Sequence, residues 1–169
     1  MQKKALKYDI FKVNIYFIGL LWTKHGLIAS SIENSYNSVL SDFKSSFPDS
    51  YFYYINSTSP LRKHIYNYFN KLPFNTDFII DYSYTTLWQK EVYKQVINIP
   101  YGHTASYKDI SLSLKKLNSY RAVGSALKNN KLFLIIPCHR VILNNGNIGG
   151  FSRGLPLKKY LLKLENVIF

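Results

Sequence analysis

The chain has 169 residues, enough for one ordinary domain or two small ones and too few for a large multidomain machine. Hydrophobic residues make up 47% of it and aromatic residues 17%, so it can build a core and does not have the composition of a disordered chain. Twenty-two Lys and Arg against nine Asp and Glu leave a formal charge of +13, which makes nucleic acid the leading class of partner.

Cys138 is the only cysteine. That excludes an internal disulfide framework and a Cys-rich zinc site, and it fits a reducing compartment; the expectation is a cytoplasmic protein. Lys3 and Lys4 ahead of the apolar run from Val13 to Trp22 loosely imitate a signal peptide, but Asn14 interrupts the run and Lys24 and His25 follow it closely. No stretch approaches the ~20 apolar residues needed to span a bilayer, so no membrane role is expected. The sequon at Asn56, Ser57 and Thr58 has no meaning for a cytoplasmic chain.

In chain order, the alternation around Val13, Ile15 and Phe17, a turn at Lys24 to Gly26 and a return from Leu27 to Ile32 predict a β-hairpin. Tyr36, Val39, Leu40, Phe43 and Phe47 predict a helix ending at Pro48, and Leu61, Ile65, Phe69 and Leu72 another ending at Pro73. Tyr51 to Ile55 and Phe78 to Tyr82, aromatic and β-branched, read as strands. This first half, residues 1–83, is expected to be an α/β domain: an antiparallel sheet with helices, in a chain that is α+β as a whole.

Residues 84–169 are expected to form a second, mainly helical domain. Leu87, Val92, Val96 and Ile97 predict a helix closed by Pro100 and Gly102, and Ser106 with Asp109 has the spacing of a capping box that opens the next. After a break at Asn118 and Ser119, Arg121 to Asn129 predicts a third helix. Helix, short turn, helix is the layout of a DNA-reading unit, although two such helices are commoner as plain core packing. Lys108, Lys115, Lys116, Arg121, Lys128 and Lys131 lie in or beside the unit, where phosphates would attract them; otherwise they make a solvated face. The apolar run from Leu132 reads as a buried strand that stops at Pro137 and delivers Cys138 and His139 at its end.

A lone cysteine is usually a small buried hydrophobe. Here His139 and Arg140 adjoin it, and an imidazole and a cation are what a thiol with an ordinary pKa near ~8.5 needs to become a nucleophile. Consecutive residues on a strand face opposite ways, so contact between Cys138 and His139 calls for a turn or a bridging water. His25, His64 and His103 show no metal-ligand spacing and read as structural or surface residues.

With TLWQKEVY, IPYGHTASY, SYRAVGSALKNN, IPCHRV, GNIGGFSRG and KKYLLKLE in this order, residues 84–169 resemble the O6-alkylguanine-DNA alkyltransferases. PCHRV preceded by RAVG at this distance is a specific signature; the first half carries no such motif. The resemblance implies a single-turnover DNA repair protein that flips the damaged nucleotide from duplex DNA and takes the alkyl group from O6 of guanine, with O4-alkylthymine as a further substrate, onto Cys138. It implies His139 as a base acting through water, Glu165 orienting it, Tyr107 serving the leaving guanine, and Asn130 shaping the pocket. Arg121 would be the finger that fills the vacated stack, with Tyr120, Ala122, Ser125 and Lys128 on the DNA-facing helix. Gly149, Phe151 and Ser152 would line the base pocket. No cofactor and no metal are implied, and a monomer is expected. Trp88, Tyr120 and Arg153 depart from the family, which usually has Phe at the first position, a small residue at the second and commonly a small one at the third. A transcription regulator and a cysteine hydrolase are the competing classes; the first leaves Cys138 unexplained, and the second lacks a recognisable distal histidine.

Overall fold

The computed structural model describes residues 4–56, 59–72 and 78–168. Packing divides the chain into two units: residues up to Tyr84 together with Lys131–Phe133, and Thr85–Asn130 together with Leu134–Phe169. Pro73 and the last two sequon residues lie outside the described residues.

In the first unit, strands β1 (Lys4–Val13), β2 (Tyr16–Trp22), β3 (Leu27–Glu33) and β4 (Ser50–Tyr54) form a sheet in the order β3-β2-β1-β4. The β2–β3 hairpin matches the expectation. The alternation drawn through Val13, Ile15 and Phe17 instead spans a turn: Asn14 takes φ 54° and Ile15 is 70% exposed, so the run splits into the ends of two strands. Asn tolerates that left-handed conformation, which lets β1 fold back on β2. The fourth strand adds to β1 in parallel, so the sheet is mixed. The segment Phe78–Tyr82 is not a strand; it makes one bridge, Ile80 to Leu27, and then enters a 3-10 turn at Tyr82–Tyr84.

Helix α1 (Tyr36–Ser46) is capped by the Ser35 hydroxyl, which accepts from the Ser38 N–H at 3.0 Å. It buries Val39 and Phe43 in a cluster with Leu6, Ile10, Leu21 and Ile28. Gly19 permits this approach, because a Cβ there would overlap the side chains of Val39 and Phe43. Helix α2 (Pro60–Phe69) starts with proline at its first turn and buries Leu61, Ile65, Tyr68 and Phe69. Lys131, expected near DNA phosphates, donates to the Ser46 carbonyl at 3.0 Å and lies over the Phe47 ring.

The second unit contains α3 (Leu87–Val96), the short strand β5 (Ala105–Ser106), α4 (Tyr107–Ser113), α5 (Tyr120–Lys128), the short strand β6 (Val141–Ile142) and α6 (Leu155–Leu164). The capping box at Ser106 and Asp109 forms as expected, and Thr86 with Gln89 makes a second one on α3. Between α4 and α5, the Ser111 hydroxyl accepts from the Ser119 N–H at 3.1 Å, and Lys115 and Asn118 take positive φ. The expected strand from Leu132 does not form. Leu132 makes a single bridge to Ser30 and Leu134 takes φ 66°, yet Leu132 to Ile136 are all buried. The apolar run satisfies burial, and burial alone does not require a ladder.

Candidate active site

Cys138 opens a 3-10 turn, Cys138–Arg140, instead of ending a strand. The turn leads directly into β6, whose parallel pairing of Ala105 with Val141 and Ser106 with Ile142 brings the start of α4, and hence Tyr107, to the same place. Asn130, just past the end of α5, is buried and donates through Nδ2 to the Ile136 carbonyl at 3.1 Å and to the Cys138 Sγ at 3.2 Å. The asparagine thus holds the turn and supplies a hydrogen bond to sulfur.

Behind the thiol lies a buried ionic cluster. Glu165, at the C-terminal cap of α6, receives Arg140 Nε at 2.9 Å on Oε2 and Arg140 Nη2 at 3.1 Å on Oε1. The Gly102 N–H adds a bond to Oε2 at 3.1 Å, and His139 Nε2 lies 2.6 Å from Oε1. Burial pushes the Glu165 carboxyl up, but the hydrogen bonds and charges of His139 and Arg140 outweigh it and hold the group down to about 2. An ionised carboxylate can only accept, so His139 Nε2 carries its proton and Nδ1 is left with a lone pair. Burial lowers the His139 pKa despite Glu165, so the resting imidazole is neutral. Burial likewise pushes the Cys138 thiol up, against the hydrogen bond from Asn130 and the charges of Lys158 and Arg153. The resting pair is therefore thiol and neutral imidazole, not a preformed thiolate.

Arg140 was expected to activate the sulfur. It instead engages Glu165 twice and the Ile99 carbonyl through Nη1 at 2.6 Å, so it acts on the thiol only through the cluster. Lys158 is the site residue that sequence reasoning missed. It is completely buried on α6 and donates through Nζ to the Val141 carbonyl at 2.6 Å and the Gly150 carbonyl at 3.3 Å, tying the cysteine turn to the next loop. Burial lowers its pKa to about 8, opposed by Cys138. The available signal was its place three, four and seven residues before Leu161, Leu162 and Glu165, on the buried face of the helix.

A pocket of about 310 Å³ adjoins the thiol, lined by Cys138, Tyr107, Gly124, Leu127, Lys128 and the loop Gly150, Phe151 and Ser152. Gly150 lines it where Gly149 is expected; Gly149, at φ 69°, shapes the turn, and a Cβ there would press on the Leu143 side chain. Burial raises the Tyr107 hydroxyl pKa, and a charge on Cys138 would raise it further, so the phenol stays protonated. Helix α5 buries Val123, Ala126 and Leu127 and exposes Tyr120, Arg121, Ala122, Ser125 and Lys128. Trp88 donates from Nε1 to the Ala122 carbonyl at 3.1 Å and Tyr93 from its hydroxyl to the Ala126 carbonyl at 3.1 Å, fixing α5 against α3. His25 and His103 are exposed and His64 is half-buried; among the described residues no group of His, Cys, Asp and Glu could hold a metal ion.

The family model described as "6-O-methylguanine DNA methyltransferase, DNA binding domain" matches residues 87–167. A methylated-DNA–protein-cysteine methyltransferase of Methanosarcina barkeri is 50% identical over 80 residues, which span 47% of this chain and 51% of the relative; the match covers about half of that protein's length. An O6-methylguanine DNA methyltransferase from Methanococcus jannaschii has a similar structure, with a TM-score of 0.62, 30% identity and 95% of each chain covered. The Mycobacterium tuberculosis protein OGT, solved in complex with DNA, aligns with a TM-score of 0.77 and 26% identity over 94% of this chain and 92% of its own.

Proposed function

This chain belongs to the 6-O-methylguanine DNA methyltransferase family, and from that premise we propose that it repairs DNA by moving an alkyl group from O6 of guanine onto its own Cys138. The observation that carries the reading is the position of the chain's only thiol: on the wall of a base-sized pocket with Tyr107, backed by the His139–Glu165–Arg140 cluster. The partner is duplex DNA containing the damaged base. The Mycobacterium tuberculosis neighbour solved in complex with DNA supports this, as does the net charge of +13.

In the proposed step, the Cys138 sulfur attacks the alkyl carbon, an S–C bond forms, and the C–O6 bond breaks with its electron pair leaving on guanine. The thiol proton passes through water to His139 Nδ1, and Glu165 stabilises the imidazolium so formed. The Tyr107 hydroxyl gives its proton to the departing guanine anion, which becomes neutral guanine still in the strand, and the proton held on His139 returns through water to the Tyr107 phenolate, so the thiol proton is the one guanine finally gains. The products are an S-alkyl cysteine and unmodified guanine. A thioether has no proton to lose and is a poor leaving group, so each chain reacts once.

Arg121 on the exposed face of α5 fills the space of the extruded nucleotide, while Tyr120, Ala122, Ser125 and Lys128 meet the backbone around it. Residues 84–169 carry the alkyl transfer, and residues 1–83 form the other domain. The protein acts as a monomer without a cofactor and works in the cytoplasm. No described helix is long and apolar enough to cross a membrane. The test is to incubate the protein with duplex DNA carrying O6-methylguanine and weigh it intact. Replacement of one hydrogen by one methyl supports the transfer; binding without a mass change, or release of a product with the protein unmodified, contradicts it.

A further inference from the structure

One end of the four-stranded sheet presents a surface that the alkyl-transfer chemistry does not use. In the parallel pairing of β1 with β4, Ala5 lies beside Tyr51 and Lys7 beside Tyr53, and residues paired in register share a face of the sheet. Farther along that face of β1, α2 covers Asp9 through Arg62 and Phe11 through Arg62 and Tyr66. Ala5 and Lys7 remain exposed, and Tyr51 and Tyr53 keep 55% and 39% of their surface accessible. The two tyrosine rings lie 6.5 Å apart, tilted by 36°.

A cavity of about 510 Å³ opens at the same end, between the start of β1, the β2–β3 turn and the Asp81–Tyr84 segment, with Tyr53 on its wall. Its cations are Lys4, Lys7 and Lys24, with His25 beside them. Lys4 Nζ stands 4.7 Å from the centre of the Tyr84 ring. Among the described residues no ion pair joins any of these lysines to a carboxylate. Asp81 also lines the cavity, and it accepts the Thr23 hydroxyl at 2.5 Å and the Ser83 N–H at 2.9 Å. Burial pushes its carboxyl up, but those hydrogen bonds outweigh burial and keep it ionised, so three lysines face one negative charge.

Cations without carboxylate partners beside the exposed Tyr51 and Tyr53 side chains match the two halves of an unpaired nucleotide strand: phosphates neutralise the lysines and bases stack on the rings. A duplex offers the phosphates but keeps its base faces stacked, and an acidic peptide would leave the tyrosines unused. We propose that this end of the N-terminal unit is a binding site for single-stranded nucleic acid, separate from the Cys138 pocket.

The test uses the full chain and a fluorescein-labelled oligothymidylate of about ten nucleotides, within the site size of stacking platforms. Thymine carrying no alkyl group is not a substrate for transfer. Anisotropy is measured with unlabelled, undamaged duplex in excess, so that α5 is occupied. The wild type should still bind. Tyr53→Ala should weaken binding about tenfold, the loss expected for one stacked base. Lys7→Gln combined with Lys24→Gln should reduce the slope of log K against log salt by about 1.4, two single-strand phosphates' worth. Both variants should react with free O6-methylguanine base at the wild-type rate, which shows that the transfer site is intact. In the wild-type protein, oligothymidylate should also shield Lys7 and Lys24 from acetylation, read by peptide mass, a measurement that does not depend on how the variants fold. Complete competition by duplex, unchanged affinity in the variants, or equal acetylation of the two lysines with and without the strand would each overturn the proposal.

Discussion

Replacing Glu165 by Gln removes a negative charge from a site with 1% exposure while leaving Arg140, itself buried, in place. The carboxylate takes hydrogen bonds from Arg140, at two of its nitrogens, from His139 and from the Gly102 N–H. A glutamine offers one accepting oxygen and turns an NH₂ toward donors. Breaking a buried pair from one side costs typically ~3–5 kcal/mol. The depressed Glu165 pKa is consistent with this: a carboxyl held at about 2 in the fold, against an ordinary 4.5, is linked to roughly 3 kcal/mol of stability. At ~2–4 °C per kcal/mol for a chain of this size, Glu165→Gln should melt about 6–12 °C below the wild type at neutral pH. The sign with pH follows from the depressed value. The stabilisation is complete above about pH 5 and is lost as pH falls from 4.5 toward 2, so the two melting curves should converge on acidification. Thermal unfolding of both proteins across that range, at constant salt, measures the gap. A gap that stays constant down to pH 2, or no gap at neutral pH, would refute the reasoning.

Glu165→Gln should also slow transfer by ~10²–10⁴-fold while DNA affinity changes little; a wild-type rate at pH 7 would remove Glu165 from the proton path. Because burial lowers His139 below 6.5 and raises Cys138 above 9.0, the reactive thiol–imidazole pair is fully populated between those values. Transfer from a free O6-alkylguanine base should therefore be flat from about pH 7 to 9 and decline only at lower pH as the imidazole is protonated; a tenfold rise per unit across that window would mean that preformed thiolate reacts. Arg121→Ala should slow repair in duplex DNA far more than reaction with the free base, which needs no extrusion; equal losses would assign Arg121 to the fold or the pocket.

The helices of the second unit were legible in the sequence because their signals are local. Ser106 and Asp109 cap α4 by a fixed spacing, and Val123, Ala126 and Leu127 place the buried stripe of α5. The cysteine turn was legible as a place and not as a shape. Leu132 to Ile136 are apolar because they are buried, a property that strand and turn share, and the positive φ of Leu134 leaves no mark in a leucine. Arg140 was read as the neighbour of Cys138 because the two are close in sequence; its carboxylate partner is 25 residues away on α6. Lys158 escaped notice for a related reason: its ammonium is satisfied by backbone carbonyls, which no side-chain pattern announces. The parallel addition of β4 depends on the path of α1 across the sheet, and nothing within Ser50–Tyr54 encodes direction.

The most direct test of the central claim is a titration of the protein with increasing duplex DNA containing O6-methylguanine, followed by peptide mass mapping. Methyl should accumulate only on the peptide containing Cys138, saturate at one per chain however much substrate is added, and be absent in Cys138→Ser, which still binds the DNA. Methyl on any other residue, or repaired guanine exceeding the number of protein chains, would contradict it.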